Sequence, residues 1–79
     1  MTRTEILKQI QDVFRDVLKQ EDLMLNENSS ANHIEKWDSL THIILVVEIE
    51  KKFELKFLAS EMTGWKNIGE MIDSISQKL

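Results

Sequence analysis

The amino-acid sequence predicts an all-α fold: a bundle of four helices with a long first loop and a short third helix. Apolar residues recur at three- and four-residue steps in separate stretches, which is the period of an amphipathic helix. Turn-forming residues, rather than a helical pattern, fill the region between the first two stretches. With 79 residues the chain is expected to form a single domain, 1–79, with a small core.

The first helix is predicted at about residues 3–19, and it begins with a capping-box pattern formed by Thr2 and Glu5. Seven apolar positions share one face of this helix: Ile6, Leu7, Ile10, Val13, Phe14, Val17 and Leu18. Residues 20–37 lack the helical period and are rich in Asn and Ser, which predicts a long loop. Four apolar side chains are expected to attach this loop to the core: Leu23, Leu25, Ile34 and Trp37.

The second helix is predicted to start at Asp38 or Ser39, with Asp38 as its N-cap, and to run to about Phe53. A strand is disfavoured because polar and apolar residues do not alternate. One apolar stripe is expected to face the core: Ile43, Leu45, Val46, Ile49 and Phe53. A second stripe exceeds what a small core can bury and is predicted to be exposed: Leu40, Ile44, Val47 and Lys51. Glu48 is placed to pair with Lys52 at i, i+4.

Two further helices are predicted in the last third of the chain. Residues 56–63 are expected to contain a short helical segment, and Gly64 is expected to break the chain after it. Asn67 and Glu70 then resemble the start of a capped helix. Its apolar positions again have helical spacing: Ile68, Met71, Ile72, Ile75 and Leu79.

Charge and composition exclude several classes of function. The net charge of −4 argues against nucleic acid as the main partner, because phosphate backbones require a basic surface. Residues 20–42 carry five acidic and one basic side chain, and this segment is expected to steer basic partner surfaces. The longest apolar run, residues 43–47, is too short to cross a membrane. The chain has no Cys and starts without a secretory signal, so we expect a cytoplasmic protein. We also expect a monomer.

The sequence Asp38-Ser39-Leu40 marks Ser39 as a candidate site for an attached phosphate, because the first turn of a helix offers free N–H groups and a favourable dipole. His42 lies one turn further on, so a Ser–His catalytic pair is the alternative. No orienting group or oxyanion site accompanies this pair, and we predict that the chain is not an enzyme. His33 and His42 also lack the paired spacing of a metal site, so no metal is expected.

The chain resembles acyl carrier proteins along nearly its whole length. The resemblance rests on Asp38-Ser39-Leu40 at the head of the second helix, on Glu50 and Phe53 near its end, and on a short third helix before a capped fourth. In that family the serine of Asp-Ser-Leu receives a 4′-phosphopantetheine arm, which carries acyl groups as thioesters. The resemblance therefore implies that Ser39, flanked by Asp38 and Leu40, is the attachment site.

The resemblance also implies the partners. A phosphopantetheinyl transferase would load the arm from coenzyme A, and acyl-loading and acyl-using enzymes would dock on the second helix. The residues expected at this docking surface are Leu40, Thr41, Ile44, Val47 and Lys51. Trp65 and Met62 fall where such carriers shape a pocket beside the arm, although core packing explains Trp65 equally well and is the simplest explanation of Met62.

The second helix differs from that of housekeeping fatty-acid carriers, which is acidic. Residues 39–53 have no net charge, and three positions where carboxylates are expected hold other residues: Thr41, Ile44 and Lys51. Trp37 replaces the usual small residue before Asp38, which is similar to discrete carriers of polyketide or other specialised pathways. The alternatives are a housekeeping carrier, a peptidyl or aminoacyl carrier, and a helical protein-interaction module with no prosthetic group. Peptidyl carriers tend to have glycines just before the serine, where this chain has Lys36 and Trp37.

Overall fold

The structure is a computed structural model that describes all 79 residues. It contains four helices and no strand, which confirms the predicted all-α bundle with a long first loop and a short third helix. The helices are α1 (Arg3–Leu18), α2 (Ser39–Phe53), α3 (Ala59–Gly64) and α4 (Ile68–Lys78). None of the four combines the length and the apolar composition that crossing a bilayer requires.

Side-chain caps define where the helices begin. Thr2 and Glu5 form the predicted capping box of α1, and the side chain of Asn67 accepts a hydrogen bond from the N–H of Glu70 at the start of α4. α3 begins within the predicted segment 56–63, at Ala59, and it ends at Gly64, the residue predicted to follow it as a break. Its start is set by the carboxylate of Glu61, which accepts from the N–H of Leu58 at 2.8 Å.

The core lies between α1, α2 and α4, and it is closed by the first loop. Phe14 of α1 is fully buried and contacts Trp37 edge to face, with ring centroids 4.9 Å apart. Of the four residues predicted to attach the loop, Leu25, Ile34 and Trp37 are buried and Leu23 is half-buried. The remaining buried apolar side chains come from the helices and the α2–α3 connection: Ile6, Ile10, Val13, Leu18, Leu45, Val46, Ile49, Phe53, Phe57, Ile68, Met71, Ile72 and Ile75.

Backbone hydrogen bonds fix the first loop to the start of α4. The N–H of Ile68 donates to the carbonyl of Ser29 at 2.9 Å, and the N–H of Gly69 donates to that of Glu27 at 2.8 Å. A Cβ at position 69 would lie 3.1 Å from the Glu27 carbonyl oxygen, so this close approach favours glycine. Arg3 joins the same loop to α1 and α4 through salt bridges of 2.6 Å to Glu27 and to Asp73. The Arg3 hydrogen bonds lower the pKa of Glu27.

Three details of the sequence prediction are wrong. Ile43 was assigned to the core stripe, but its side chain is 64% exposed, because the buried face of α2 is set by residues that lie on the opposite side of the helix. Leu79 is also exposed, since it follows the last helical residue of α4. Glu48 pairs with Lys51 at 3.7 Å, one position earlier than the predicted Lys52.

Candidate functional site

Ser39 is the first residue of α2, and the Asp38 cap determines its position. The carboxylate of Asp38 accepts hydrogen bonds from the N–H groups of Leu40 at 3.0 Å and Thr41 at 2.9 Å. In return, the hydroxyl of Thr41 accepts from the N–H of Asp38 at 2.8 Å, completing a capping box. The side chain of Ser39 takes no part in this arrangement: the residue is exposed and its hydroxyl makes no hydrogen bond with the protein. Ser39 is therefore an accessible hydroxyl on a firmly capped helix.

The same cap changes what the helix terminus offers to a phosphate. Because Asp38 already occupies the N–H groups of Leu40 and Thr41, only the N–H of Ser39 lacks a partner in this turn. Several free N–H groups were expected here, but only the helix dipole and one N–H are available to stabilise an attached phosphate. The bond from the Thr41 N–H lowers the pKa of Asp38, so its carboxylate stays ionised at neutral pH.

Thr41 contributes to the cap rather than presenting a free hydroxyl on the surface. Its Oγ1 donates to the carbonyl of Lys36 at 2.8 Å while it accepts from the Asp38 N–H. Its side chain is half-buried. Thr41 therefore fixes the geometry around Ser39. The sequence analysis predicted Thr41 only as a docking residue and did not predict this role in the cap.

His42 is neither a base for Ser39 nor a plain surface residue. The indole Nε1–H of Trp37 donates to Nδ1 of His42 at 3.0 Å, and Nε2 of His42 lies 2.9 Å from the carbonyl of Met62. An indole N–H only donates, so Nδ1 is the acceptor and Nε2 carries the proton that is donated to Met62. Both ring nitrogens are occupied, and the Ser39–His42 catalytic pair is not formed. His42 instead connects α2 to α3, a role that helical periodicity did not reveal.

A groove of about 650 Å³, open to solvent, is lined by Ser39 and other residues of α2 and α3, and by residues 30–32 of the first loop. Its apolar lining consists of Ala31, Trp37, Ile43, Met62 and Trp65, so both predicted pocket residues line the same groove as Ser39. The indole N–H of Trp65 donates to the hydroxyl of Ser74 at 2.8 Å, and its ring meets Phe57 edge to face with centroids 4.8 Å apart. Trp65 is therefore fixed against the bundle while one side of it lines the groove.

The second predicted stripe of α2 is exposed and is wider than predicted. Leu40 is 70% exposed, Ile44 45% and Val47 42%, and the misassigned Ile43 lies on the same side of the helix. We call these four residues the apolar stripe of α2. Lys51 is exposed beyond its C-terminal end. The stripe leads away from Ser39 along one face of the helix.

His33, unlike His42, does not connect two helices. His33 lies in the first loop, where Nδ1 is 3.2 Å from the hydroxyl of Ser30. Across residues 1–79, no cluster of three or more His, Cys, Asp or Glu side chains is arranged to bind a metal ion.

Comparison with known proteins identifies the family of the chain. A family model described as a phosphopantetheine attachment site matches residues 8–75. The solution structure of a holo acyl carrier protein from Geobacter metallireducens is similar, with a TM-score of 0.84 and 35% sequence identity over 91% of this chain and 83% of that one.

A protein from Mycobacterium tuberculosis described as an acyl carrier protein has the same fold, with a TM-score of 0.83, 19% identity and coverage of 94% of this chain and 99% of that one. No curated protein sequence matches the chain significantly. The match of the family model over most of the chain, together with the structural likeness to a holo carrier, shows that the chain belongs to the acyl carrier proteins, which bear 4′-phosphopantetheine and are not enzymes.

Proposed function

We propose that this chain is a single acyl carrier domain, 1–79, that bears its phosphopantetheine arm on Ser39 and presents acyl thioesters to partner enzymes. The observation that carries this assignment is the Ser39 hydroxyl, which is exposed and unbonded at the head of a helix whose cap does not depend on it. When the arm is bound, its terminal thiol supplies the thioester chemistry.

Attachment requires a transferase, because the chain offers no base to Ser39. Oγ of Ser39 would form the new bond to the phosphorus of the pantetheine phosphate in coenzyme A, and adenosine bisphosphate would leave. The serine proton would go to a base on the transferase, since both nitrogens of His42 are engaged elsewhere. Asp38 keeps the first turn of α2 in place throughout.

Incubating the recombinant chain with coenzyme A and a broad-specificity phosphopantetheinyl transferase tests this function. The carrier function predicts that intact-mass spectrometry shows a gain of one phosphopantetheinyl group. The alternative, a helical interaction module without a prosthetic group, predicts an unchanged mass under conditions in which a known carrier is fully converted.

We further propose that acyl-loading and acyl-using enzymes dock on the apolar stripe of α2, with Thr41 and Lys51 at its edges. The proposal is supported by the exposure of four large apolar side chains on one face next to Ser39. Single exposed apolar residues are common on protein surfaces, whereas a contiguous group of this kind is typical of an interaction site.

Replacing Ile44 with alanine is expected to weaken partner binding and leave the fold almost unchanged. Truncation of an interface anchor typically costs more than ~1 kcal/mol of binding, whereas surface substitutions change stability by less than about 0.5 kcal/mol. Ile49→Ala on the same helix is the matched control. Ile49 is fully buried, so its truncation is expected to cost ~2–5 kcal/mol of stability. A melting temperature that falls as far for Ile44→Ala as for Ile49→Ala would show that Ile44 supports the core instead.

Partner binding is expected to depend less on salt than binding by a carrier with an acidic second helix. Ordinary ionic strength screens exposed charges over roughly 8–10 Å, whereas burial of apolar area is not screened. α2 has no net charge, so most of its docking energy would come from the stripe. Affinities for a cognate partner across a salt series would measure this, with an acidic-helix carrier measured alongside. Equal slopes for the two carriers would show that charge dominates docking here too.

The zero net charge of α2 and the presence of Trp37 also lead us to propose a specialised pathway, such as polyketide assembly, over housekeeping fatty-acid synthesis. Its partners would need apolar rather than strongly basic docking surfaces. Genes for such enzymes beside the gene for this chain would support this choice, and genes for a complete fatty-acid synthesis system would favour the housekeeping alternative.

A further inference from the structure

We propose that the hydroxyl of Thr41 is a positioning group for attachment of the arm: it joins residues 36–38 to the first turn of α2 and so controls how fast a transferase loads Ser39. This inference rests on the proposed function, because it concerns the rate of that loading reaction. It gives Thr41 a role different from that of a contact at the edge of the docking surface.

Ser39 depends on its neighbours for its position. Neither its hydroxyl nor its N–H forms a hydrogen bond within the protein, and as the first residue of α2 it lies where helices fray most easily. The helix orders the chain after Ser39, whereas the chain before it belongs to the first loop. Displacement of a reacting group by about 1 Å can slow a reaction by roughly 10²-fold. The way the loop joins the helix therefore affects how Ser39 is presented to a transferase.

The Thr41 hydroxyl makes this connection with two hydrogen bonds. It accepts from the N–H of Asp38 at 2.8 Å, and it lies 2.8 Å from the carbonyl of Lys36. Its single proton has two other acceptors nearby, the carbonyl and Oδ1 of Asp38, but these are farther away, at 3.3 and 3.2 Å. The proton is therefore donated to Lys36. One hydroxyl thus holds the backbone on both sides of Trp37.

Trp37 holds the same segment through its side chain. It is buried against Phe14, and its indole N–H donates to His42 in α2. Among the side chains of α2, however, only Thr41 bonds to the backbone of residues 36–38. A carboxylate at position 41 could accept from that backbone but could not donate to it, and a valine could do neither. The connection therefore requires a hydroxyl.

The test measures how fast a broad-specificity transferase loads the apo protein at saturating coenzyme A. Thr41→Val keeps the shape of the side chain but lacks the hydroxyl, so the kcat of loading should fall about tenfold while KM is unchanged, since two ordering hydrogen bonds are lost. The amide proton of Asp38 should also exchange faster with solvent, because it loses its acceptor. Thr41→Ser keeps the hydroxyl without the methyl group and should load at the wild-type rate.

Thr2→Val is the matched control. The hydroxyl of Thr2 accepts from the N–H of Glu5 in the cap of α1, so this change removes a capping hydrogen bond from another helix of the same fold. Thr2→Val should lose stability as Thr41→Val does, yet it should load like the wild type. A difference between the two variants separates positioning of Ser39 from a general loss of stability.

Wild-type kcat in Thr41→Val would overturn the inference, and so would a raised KM with an unchanged kcat, which would make Thr41 a docking contact. Equal slowing of Thr41→Ser and Thr41→Val, or of Thr2→Val and Thr41→Val, would overturn it as well. The comparison of Thr41→Ser with the wild type decides even if Thr41→Val folds poorly. Failure of the proposed function is seen separately, as a wild-type protein that gains no mass with the transferase.

Discussion

Replacing Ser39 with alanine is expected to abolish attachment of the phosphopantetheine arm while the helical fold is retained. The cap of α2 depends on the carboxylate of Asp38 and the N–H groups of Leu40 and Thr41, none of which involves the Ser39 side chain. Alanine is also the strongest helix former, so α2 loses nothing in intrinsic propensity. Intact-mass spectrometry after transferase treatment and circular dichroism measure the two parts of this prediction.

Ser60→Ala is the matched control for that experiment. Ser60 is exposed in the first turn of a helix, as Ser39 is, but it follows Ala59 and lacks the Asp-Ser-Leu context. It should be loaded like the wild type. The other serines are poorer candidates: Ser29 is buried, and the hydroxyl of Ser74 accepts from Trp65. A Ser39→Ala protein that still gains the mass of the arm would place the attachment elsewhere.

Replacing His42 with alanine is expected to destabilise the fold, although His42 lies outside the hydrophobic core. The change leaves the indole N–H of the buried Trp37 and the carbonyl of Met62 without partners. An unsatisfied buried polar group costs about 1–3 kcal/mol. In a domain of this size each kcal/mol lowers the melting temperature by roughly 4–8 °C. Thermal unfolding measures the effect.

His33→Ala is the control, because His33 is exposed and its only hydrogen bond is to a neighbouring serine in the loop. It should change stability by less than about 0.5 kcal/mol. A double-mutant cycle with Trp37→Phe separates the hydrogen bond from lost packing. If the bond stabilises the fold, Trp37→Phe combined with His42→Ala should cost less than the two single changes added together. Additive costs would show that the hydrogen bond between Trp37 and His42 does not stabilise the fold.

The sequence predicted the features that depend on local pattern. Capping residues and helical periodicity predicted α1, α2 and α4, and Asp38 predicted the start of α2 at Ser39. The buried face of α2 was harder to predict, because residues 43–47 are all apolar and no polar residue among them marks the side that faces solvent. Packing against α1 and α4 decides which of these side chains are buried, and it leaves Ile43 outside. The ends of α2 were therefore easier to predict than the face that it turns toward the core.

Contacts between distant residues could not be read from the sequence. The connection from Trp37 through His42 to the Met62 carbonyl joins residues in a loop and two helices, and no spacing rule describes it. The hydrogen bonds that join the first loop to α4 use backbone groups, which leave no side-chain signature except the small residue Gly69. These contacts shape the groove beside Ser39, so the sequence predicted two of its lining residues, Met62 and Trp65, but not the hydrogen bonds that hold its walls.

Tandem mass spectrometry of the protein loaded with acetyl-coenzyme A tests most directly that this chain carries acyl groups as thioesters on an arm at Ser39. We predict that the acetyl-phosphopantetheinyl group is found on the peptide that contains Asp38-Ser39-Leu40. Neutral hydroxylamine, which cleaves thioesters, should remove the acetyl group and leave the arm in place. An arm on any other residue, or an acetyl group that resists hydroxylamine, would contradict the assignment.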